Sequence, residues 1–254
     1  MTDAMPTAVV TGAARRIGLA IARDLASHGF TVALHANRSG AEAERAAAQI
    51  RADGGTAAVF VADLSDMAAV EGLVARVATQ LGPVRLLVNN ASLFESDGVE
   101  DFRWDVWDRH FDVHVKAPAM LTRQMAATLP PGETGLVVNI IDQRVWKLTP
   151  QFFSYTLSKS ALWTATLTMA QALAPRIRVN AIGPGPTLAS ARQDEAAFAA
   201  QVAALPLRHG PALDEFGATI RYLWAMDSIT GQMIALDGGQ HLAWQTTDVT
   251  VSNE

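Results

Sequence analysis

Residues 7–18 read TAVVTGAARRIG, a short β-branched run that breaks at Gly12 and resumes as the start of an amphipathic stretch. A buried strand that enters a helix through a glycine turn aims the helix's first N–H groups past the strand end, where a pyrophosphate can be held. Gly12 permits the tight turn and Gly18 lets the helix pack closely, with Arg15, Arg16 and Ile17 between them. Many dinucleotide-binding turns carry a further glycine where this chain has Arg16, and two adjacent guanidinium groups favour extra phosphate charge. Alone, such a turn is also an ordinary strand-to-helix connection. Its place at the head of an alternating succession of strands and helices gives it weight.

That succession runs through all 254 residues. The β-branched runs predict strands at Thr7–Thr11, Thr31–His35, Ala57–Val61, Leu86–Asn89, Leu136–Ile141, Arg178–Ala181 and Met233–Leu236. Alanine-rich amphipathic stretches predict helices near 17–28, 40–53, 66–81, 103–129, 156–174 and 213–225. Runs such as LVVNII are nearly unbroken in apolar character, as strands buried on both faces are. The expected fold is therefore α/β: one Rossmann-type, doubly wound domain over 1–254, with helices on both faces of a parallel sheet. No repeat or linker divides it. Two irregular stretches, Leu93–Asp101 and 183–210, follow strand ends, where open α/β sheets bind ligands; the second is expected to be a substrate loop or lid.

Composition narrows the function. The net charge of -5 gives no electrostatic footprint for nucleic acid. No apolar run approaches the roughly 18 residues that span a bilayer, and the first residues do not read as an export signal, so a soluble cytoplasmic protein is expected. With no cysteine, thiolate catalysis and sulfur-ligated zinc are excluded, and no metal-ligand set is read.

The second strand's end, LHANRS, lacks the acidic residue that would bind a ribose 2′-hydroxyl. His35, Asn37, Arg38 and Ser39 offer donors instead, which a 2′-phosphate would use, so NADPH is expected over NADH. Asp63 and Leu64 follow the third strand and suit the adenine. Asn90 and Ala91 follow the fourth and could lay backbone against the cofactor.

Tyr155 and Lys159 lie four apart in YTLSK, on one face of a predicted helix. An ammonium beside a phenol favours the phenolate and would bring the tyrosine toward the working pH as a proton donor. The same ammonium can hold a nicotinamide ribose. Thirteen residues before the tyrosine stands Asp142. An ionised aspartate cannot donate to a ketone oxygen as a hydroxyl would, and it opposes Lys159 by raising the phenol. A carboxylate suits a nitrogenous substrate instead, since reduction of C=N needs a proton on nitrogen, which an Asp142–water–Tyr155 path could supply.

TGAARRIG, NNAS, YTLSK, NAIGPGP and LDGG at 236–239 together resemble the short-chain dehydrogenase/reductase family over essentially the whole chain. Within it, Arg16, the His35–Ser39 loop, NNASLF and Asp142 resemble pteridine reductases and the related bacterial dihydromonapterin reductases, which also act on dihydrofolate. The resemblance implies a seven-stranded sheet, NADPH and a homotetramer. It also implies catalytic roles for Asp142, Tyr155 and Lys159, a cofactor contact at Pro184 and Gly185, and a pterin pocket bounded by Arg16, Ser92 and Phe94. A phenylalanine there can stack on a flat bicyclic ring. The wider family has an asparagine, linked to a proton relay behind the lysine, where this chain has His114. Two other readings stand beside the reduced-pterin one: a reductase of another carbonyl or imine, and a non-catalytic dinucleotide-binding regulator. The tail from 241 to 254 contains His241, Leu242 and Trp244, expected either to reach a neighbouring subunit or to pack on its own.

Overall fold

The computed structural model describes residues 6–189 and 194–245. Seven strands form: β1 (Thr7–Val10), β2 (Thr31–Ala36), β3 (Thr56–Val61), β4 (Val84–Asn89), β5 (Gly135–Ile140), β6 (Ile177–Pro184) and β7 (Met233–Leu236). All pair in parallel, in the order β3-β2-β1-β4-β5-β6-β7. The order reverses between β1 and β4, and the crevice beyond their carboxyl ends is where such sheets bind ligands.

Alternation along the strands builds two cores. Val10, Leu34, Leu86, Val88 and Val138 face α1 (Arg16–Ser27), α2 (Gly40–Ala52) and α9 (Leu213–Ala225), meeting Ile21, Leu25, Ile50, Phe216 and Ile220. Val9, Leu87, Val137 and Val179 face the other way. They meet residues of α4 (Leu73–Leu81), α6 (Ala117–Thr128) and α7 (Phe153–Leu173), among them Val77, Leu121, Met125 and Ala170. Each fully buried aliphatic chain contributes roughly 1.5–3 kcal/mol. No helix among the described residues is long and apolar enough to cross a membrane.

Three stretches differ from the sequence expectation. The helix predicted over 66–81 is α3 (Met67–Val70) and α4, parted where Gly72 takes φ +72°. The one predicted over 103–129 is α5 (Trp104–Phe111) joined to α6 by a π turn at Asp112–Lys116, whose wider coil carries His114. The strand predicted to stop at Ala181 continues, pairing Gly183 with Ala235 and Pro184 with Leu236. The expected loop thus begins later, and α8 (Glu195–Ala203) forms within it.

The opening glycines act as their spacing implies. Gly12 has φ +64°, and a Cβ on Gly18 would lie 2.3 Å from the Gly12 carbonyl oxygen and 2.5 Å from Asn90 Nδ2. Gly18→Ala is expected to cost about 2 kcal/mol and lower Tm by roughly 5 °C through overpacking. Thermal denaturation checks this, and an unchanged Tm would mean that the turn yields.

Candidate active site

The ends of β1, β2, β3 and β4 are tied to the glycine turn by short polar side chains. Thr11 Oγ1 accepts the N–H groups of Asn90 at 2.8 Å and Ala91 at 2.9 Å, while Asn90 Nδ2 donates to the Thr11 carbonyl at 2.8 Å. His35 is buried, accepts the Gly12 N–H at Nδ1 (3.2 Å) and bonds the Ala62 carbonyl through Nε2 at 3.0 Å. Burial keeps His35 below the ordinary histidine range, so its single ring hydrogen sits on Nε2. A cleft of about 790 Å³ opens over this framework, lined by Gly12, Arg15, Arg16, Ile17, Gly18, Asn37, Arg38, Ser39, Asp63, Leu64, Asn90, Ala91 and Ser92, among others. Asp63 lies below the ordinary carboxylate range because Ser65 donates to it, with Asn37 and Arg38 adding to the effect.

Arg16 occupies a left-handed backbone conformation, φ +54°. This accounts for the glycine usual there, since a side chain in that region costs on the order of 1–2 kcal/mol. Its guanidinium donates to the carbonyls of Ala189 (3.0 Å) and Leu188 (3.1 Å), spanning from the glycine turn to the segment after β6.

Asp142, Tyr155 and Lys159 meet where the end of β5 faces the first turns of α7. Asp142 Oδ1 accepts the Arg144 N–H at 2.8 Å, capping a short 3-10 turn, and Oδ2 accepts the Tyr155 hydroxyl at 2.9 Å. Lys159 Nζ donates to the Ile140 carbonyl at 2.9 Å and stands 5.7 Å from the Tyr155 ring centre. Burial brings Lys159 down to about 8, against the pull of Asp142. Tyr155 is pushed well above its ordinary value by burial first and the Asp142 charge next, with Arg144 and Ser92 opposing. Burial also raises Asp142, against the Arg144 amide, Tyr155 and two nearby cations.

Beside this group stands the loop after β4. Phe94, 43% exposed, meets Tyr155 edge-on at 4.8 Å and stacks on Phe152 at 4.2 Å. The Arg144 guanidinium lies 5.2 Å from the Phe152 ring centre. His114 is buried and accepts the Leu93 N–H at Nε2 (3.1 Å), with Ser92 Oγ at 3.0 Å.

Residues 6–199 match the short chain dehydrogenase family model. The chain belongs to this family. A crystal structure of FolM alternative dihydrofolate reductase 1 from Brucella canis, complexed with NADP, is 61% identical with a TM-score of 0.94, covering 97% of this chain and 98% of that one. The counterpart from Brucella suis, also with NADP, is 62% identical with a TM-score of 0.94, covering 96% and 98%. An uncharacterized oxidoreductase of Methylorubrum extorquens is 33% identical over 240 residues, 91% of this chain and 96% of the relative.

Within this short-chain dehydrogenase the expected trio of Asp142, Tyr155 and Lys159 is assembled, but its electrostatics differ from the sequence reading. Lys159 is expected to bring the phenol down against an opposing Asp142; the Asp142 effect is present, and burial, the larger cause, raises the phenol. Asp142 contacts Tyr155 directly rather than through a water. The hydrogen on His35 goes to Ala62, which leaves Asn37, Arg38 and Ser39 as the donors at that cleft wall. His114 hydrogen-bonds Ser92, Leu93 and Ser158, and the nearby Lys159 charge disfavours its protonated form. Pro184 and Gly185 lie against β7, where a Cβ on Gly185 would come 2.6 Å from Asp237 Cα. His241 bonds Asp237 at 2.7 Å and meets Trp146 at 5.2 Å within the same chain, whereas Trp244 is 64% exposed. Residues 246–254 of the tail fall outside the described residues. Sequence reasoning missed Thr11, Arg144, Phe152, His110 and Ser154. Thr11 alone had a local signal, as a hydroxyl at a strand end beside the glycine turn.

Proposed function

We propose that this chain is an NADPH-dependent reductase that converts a dihydropterin, of the dihydromonapterin, dihydrobiopterin or dihydrofolate type, to its tetrahydro form. The observation that carries the reading is the hydrogen bond from Tyr155 to Asp142, 2.9 Å long, beneath the exposed ring of Phe94. The NADP held by both Brucella dihydrofolate reductases supports it.

The residues fit the cofactor. Gly12 and Gly18 make a cradle that a side chain would fill, the cleft runs from it toward Ser92, and Asn37, Arg38 and Ser39 line its wall at the end of β2. When bound, the reduced nicotinamide supplies the hydride. Tyr155 holds a proton through the whole working pH range, since burial and Asp142 both disfavour its phenolate. It can give that proton to a substrate nitrogen as the C=N bond is reduced, and Lys159 stabilises the phenolate left behind. Asp142 orients the phenol and accepts from substrate N–H groups, which a ketone lacks. Phe94 offers an aromatic surface for the flat ring.

A panel of dihydromonapterin, dihydrobiopterin, dihydrofolate and simple ketones, each with NADPH and NADH, tests the reading. Turnover of ketones alone would refute it. Arg38→Ala is expected to weaken NADPH binding roughly 10–100-fold while leaving NADH binding nearly unchanged, because a charge-assisted phosphate contact is lost. Equal losses for both cofactors would remove Arg38 from the 2′-phosphate site. The same reading includes a cytoplasmic homotetramer, and exposed Leu157 and Leu167 on α7 give it apolar surface to cover. Light scattering at four chain masses checks the assembly.

A further inference from the structure

Phe94 lies between two backbone amides that are each held by a histidine. The Leu93 N–H donates to His114 Nε2 at 3.1 Å and the Glu95 N–H to His110 Nε2 at 3.4 Å. The two rings stack with centres 5.5 Å apart and 14° between their planes. Their other nitrogens repeat the pattern on α7: His110 Nδ1 lies 2.8 Å from Ser154 Oγ, and His114 Nδ1 lies 2.8 Å from Ser158 Oγ. Each serine has spent its own hydrogen, Ser154 on Asp97 and Ser158 on the Tyr155 carbonyl. Both serines must therefore accept. This fixes both histidines as one tautomer, with the hydrogen on Nδ1 and the lone pair on Nε2 turned to the loop.

Registration is the notable property of this arrangement. Ser154 and Ser158 directly precede Tyr155 and Lys159, so the two histidines span from the Phe94 loop to the turns that carry the proton donor and its cation. Asp97 adds a further tie by accepting the Ser154 N–H at 3.1 Å, and its carbonyl accepts the Phe153 N–H at 3.2 Å. Both histidines are fully buried, and burial holds each below the ordinary range. For His114, Lys159 and His110 deepen the effect; around His110, Asp97 and Glu95 oppose it while Arg109 and Lys159 add to it. The neutral form that accepts at Nε2 is thus the resident one.

We propose that His110 and His114 are positioning residues for the substrate, a two-rung ladder that fixes the Phe94 ring relative to Tyr155 by pinning the backbone on either side of it. The proposal rests on the pterin reading of the site. Neither histidine touches the transferred proton. Their effect falls on how a planar substrate is seated, and so on KM before kcat.

Two measurements on the full-length protein test the ladder: steady-state kinetics with a dihydropterin, and amide hydrogen exchange in the peptide covering 92–97. His110→Ala removes the acceptor of the Glu95 N–H and the ring donor to Ser154, which keeps its bonds to Asp97, and it is expected to raise KM for the dihydropterin roughly ten-fold with a smaller change in kcat. Exchange in 92–97 should quicken, and the dissociation constant of NADPH should stay as in wild type. His110→Asn retains an acceptor and a donor on one side chain and should recover part of both losses, which a simple packing role would not predict. His114→Ala and His114→Asn should repeat the contrast. Unchanged exchange in both alanine variants overturns the ladder. Faster exchange with an unchanged KM overturns its role in seating the substrate. A wild-type protein inert toward every dihydropterin refutes the pterin reading instead, and the exchange data then still decide whether the loop is pinned.

Discussion

Tyr155→Phe is expected to lower kcat for dihydropterin reduction about 1000-fold while NADPH binds as tightly as before, the loss typical of removing a positioned general acid. The ring itself is part of the pocket, edge-on to Phe94 at 4.8 Å and to His114 at 5.4 Å, and phenylalanine keeps those contacts. Only the hydroxyl disappears, with the proton it holds against Asp142. Because the phenolate formed after donation would face both a buried setting and that carboxylate, Lys159 must be charged to stabilise it. Lys159 titrates near 8, so kcat/KM for the wild type should fall as pH rises through that value. Single-turnover rates for the variant and a pH profile for the wild type check both statements. A variant within ten-fold of wild type would move the proton donor elsewhere, and a profile flat through the Lys159 titration would mean that its charge is not required.

Much of this site could be read in the chain because its signals are local. The strands announced themselves as apolar runs, and Gly12, Gly18, Tyr155 and Lys159 sit at spacings that a turn and a helix dictate. Asp142 was visible by its distance from Tyr155, and the Arg38 loop by its lack of a carboxylate. The rest depends on which side chains meet across the fold. His110 and Ser154 are 44 residues apart, and no pattern along either helix marks them as partners. Phe152 stacks on Phe94 only because the backbone turns left-handed just before α7, at φ +58°. His35 looked like a phosphate donor because its position favours one, yet the Gly12 amide and the Ala62 carbonyl claim its ring. The sign of the Tyr155 shift was hidden for the same reason. A charged lysine at i+4 would favour the phenolate, but the groups that favour it here are Arg144 and Ser92, and burial with the Asp142 charge outweighs them; burial is a property of the assembled molecule. Arg16 shows the converse, a residue whose oddness was plain in sequence and whose cause, a φ of +54°, is plain only in structure.

Asp142→Ser should reduce dihydropterin turnover by about 100-fold and leave ketone reduction equal or improved, which makes it the variant that separates a C=N reductase from a C=O reductase. A serine oxygen can still accept the Arg144 N–H that caps the 3-10 turn, a bond of 2.8 Å to Asp142 Oδ1, so the local backbone has reason to persist. What is lost is the negative acceptor 2.9 Å from the phenol and the group that would receive substrate N–H donors. Removing that charge also relieves one of the two main causes that hold Tyr155 high, so the tyrosine becomes a stronger acid at the moment the substrate loses its partner. A ketone needs only the acid and gains a hydroxyl donor beside it; a pterin needs the carboxylate. Asp142→Asn distinguishes charge from shape, since it keeps the outline and an acceptor oxygen but not the ionic form. Equal damage from Ser and Asn with pterins assigns the role to charge, whereas damage from Ser alone assigns it to reach. Pterin turnover that survives Asp142→Ser would detach the aspartate from substrate choice. In that case the hydrogen bond from Tyr155 would serve only to fix the phenol, and the substrate class would have to be sought in Phe94, Arg144 and the loop around them.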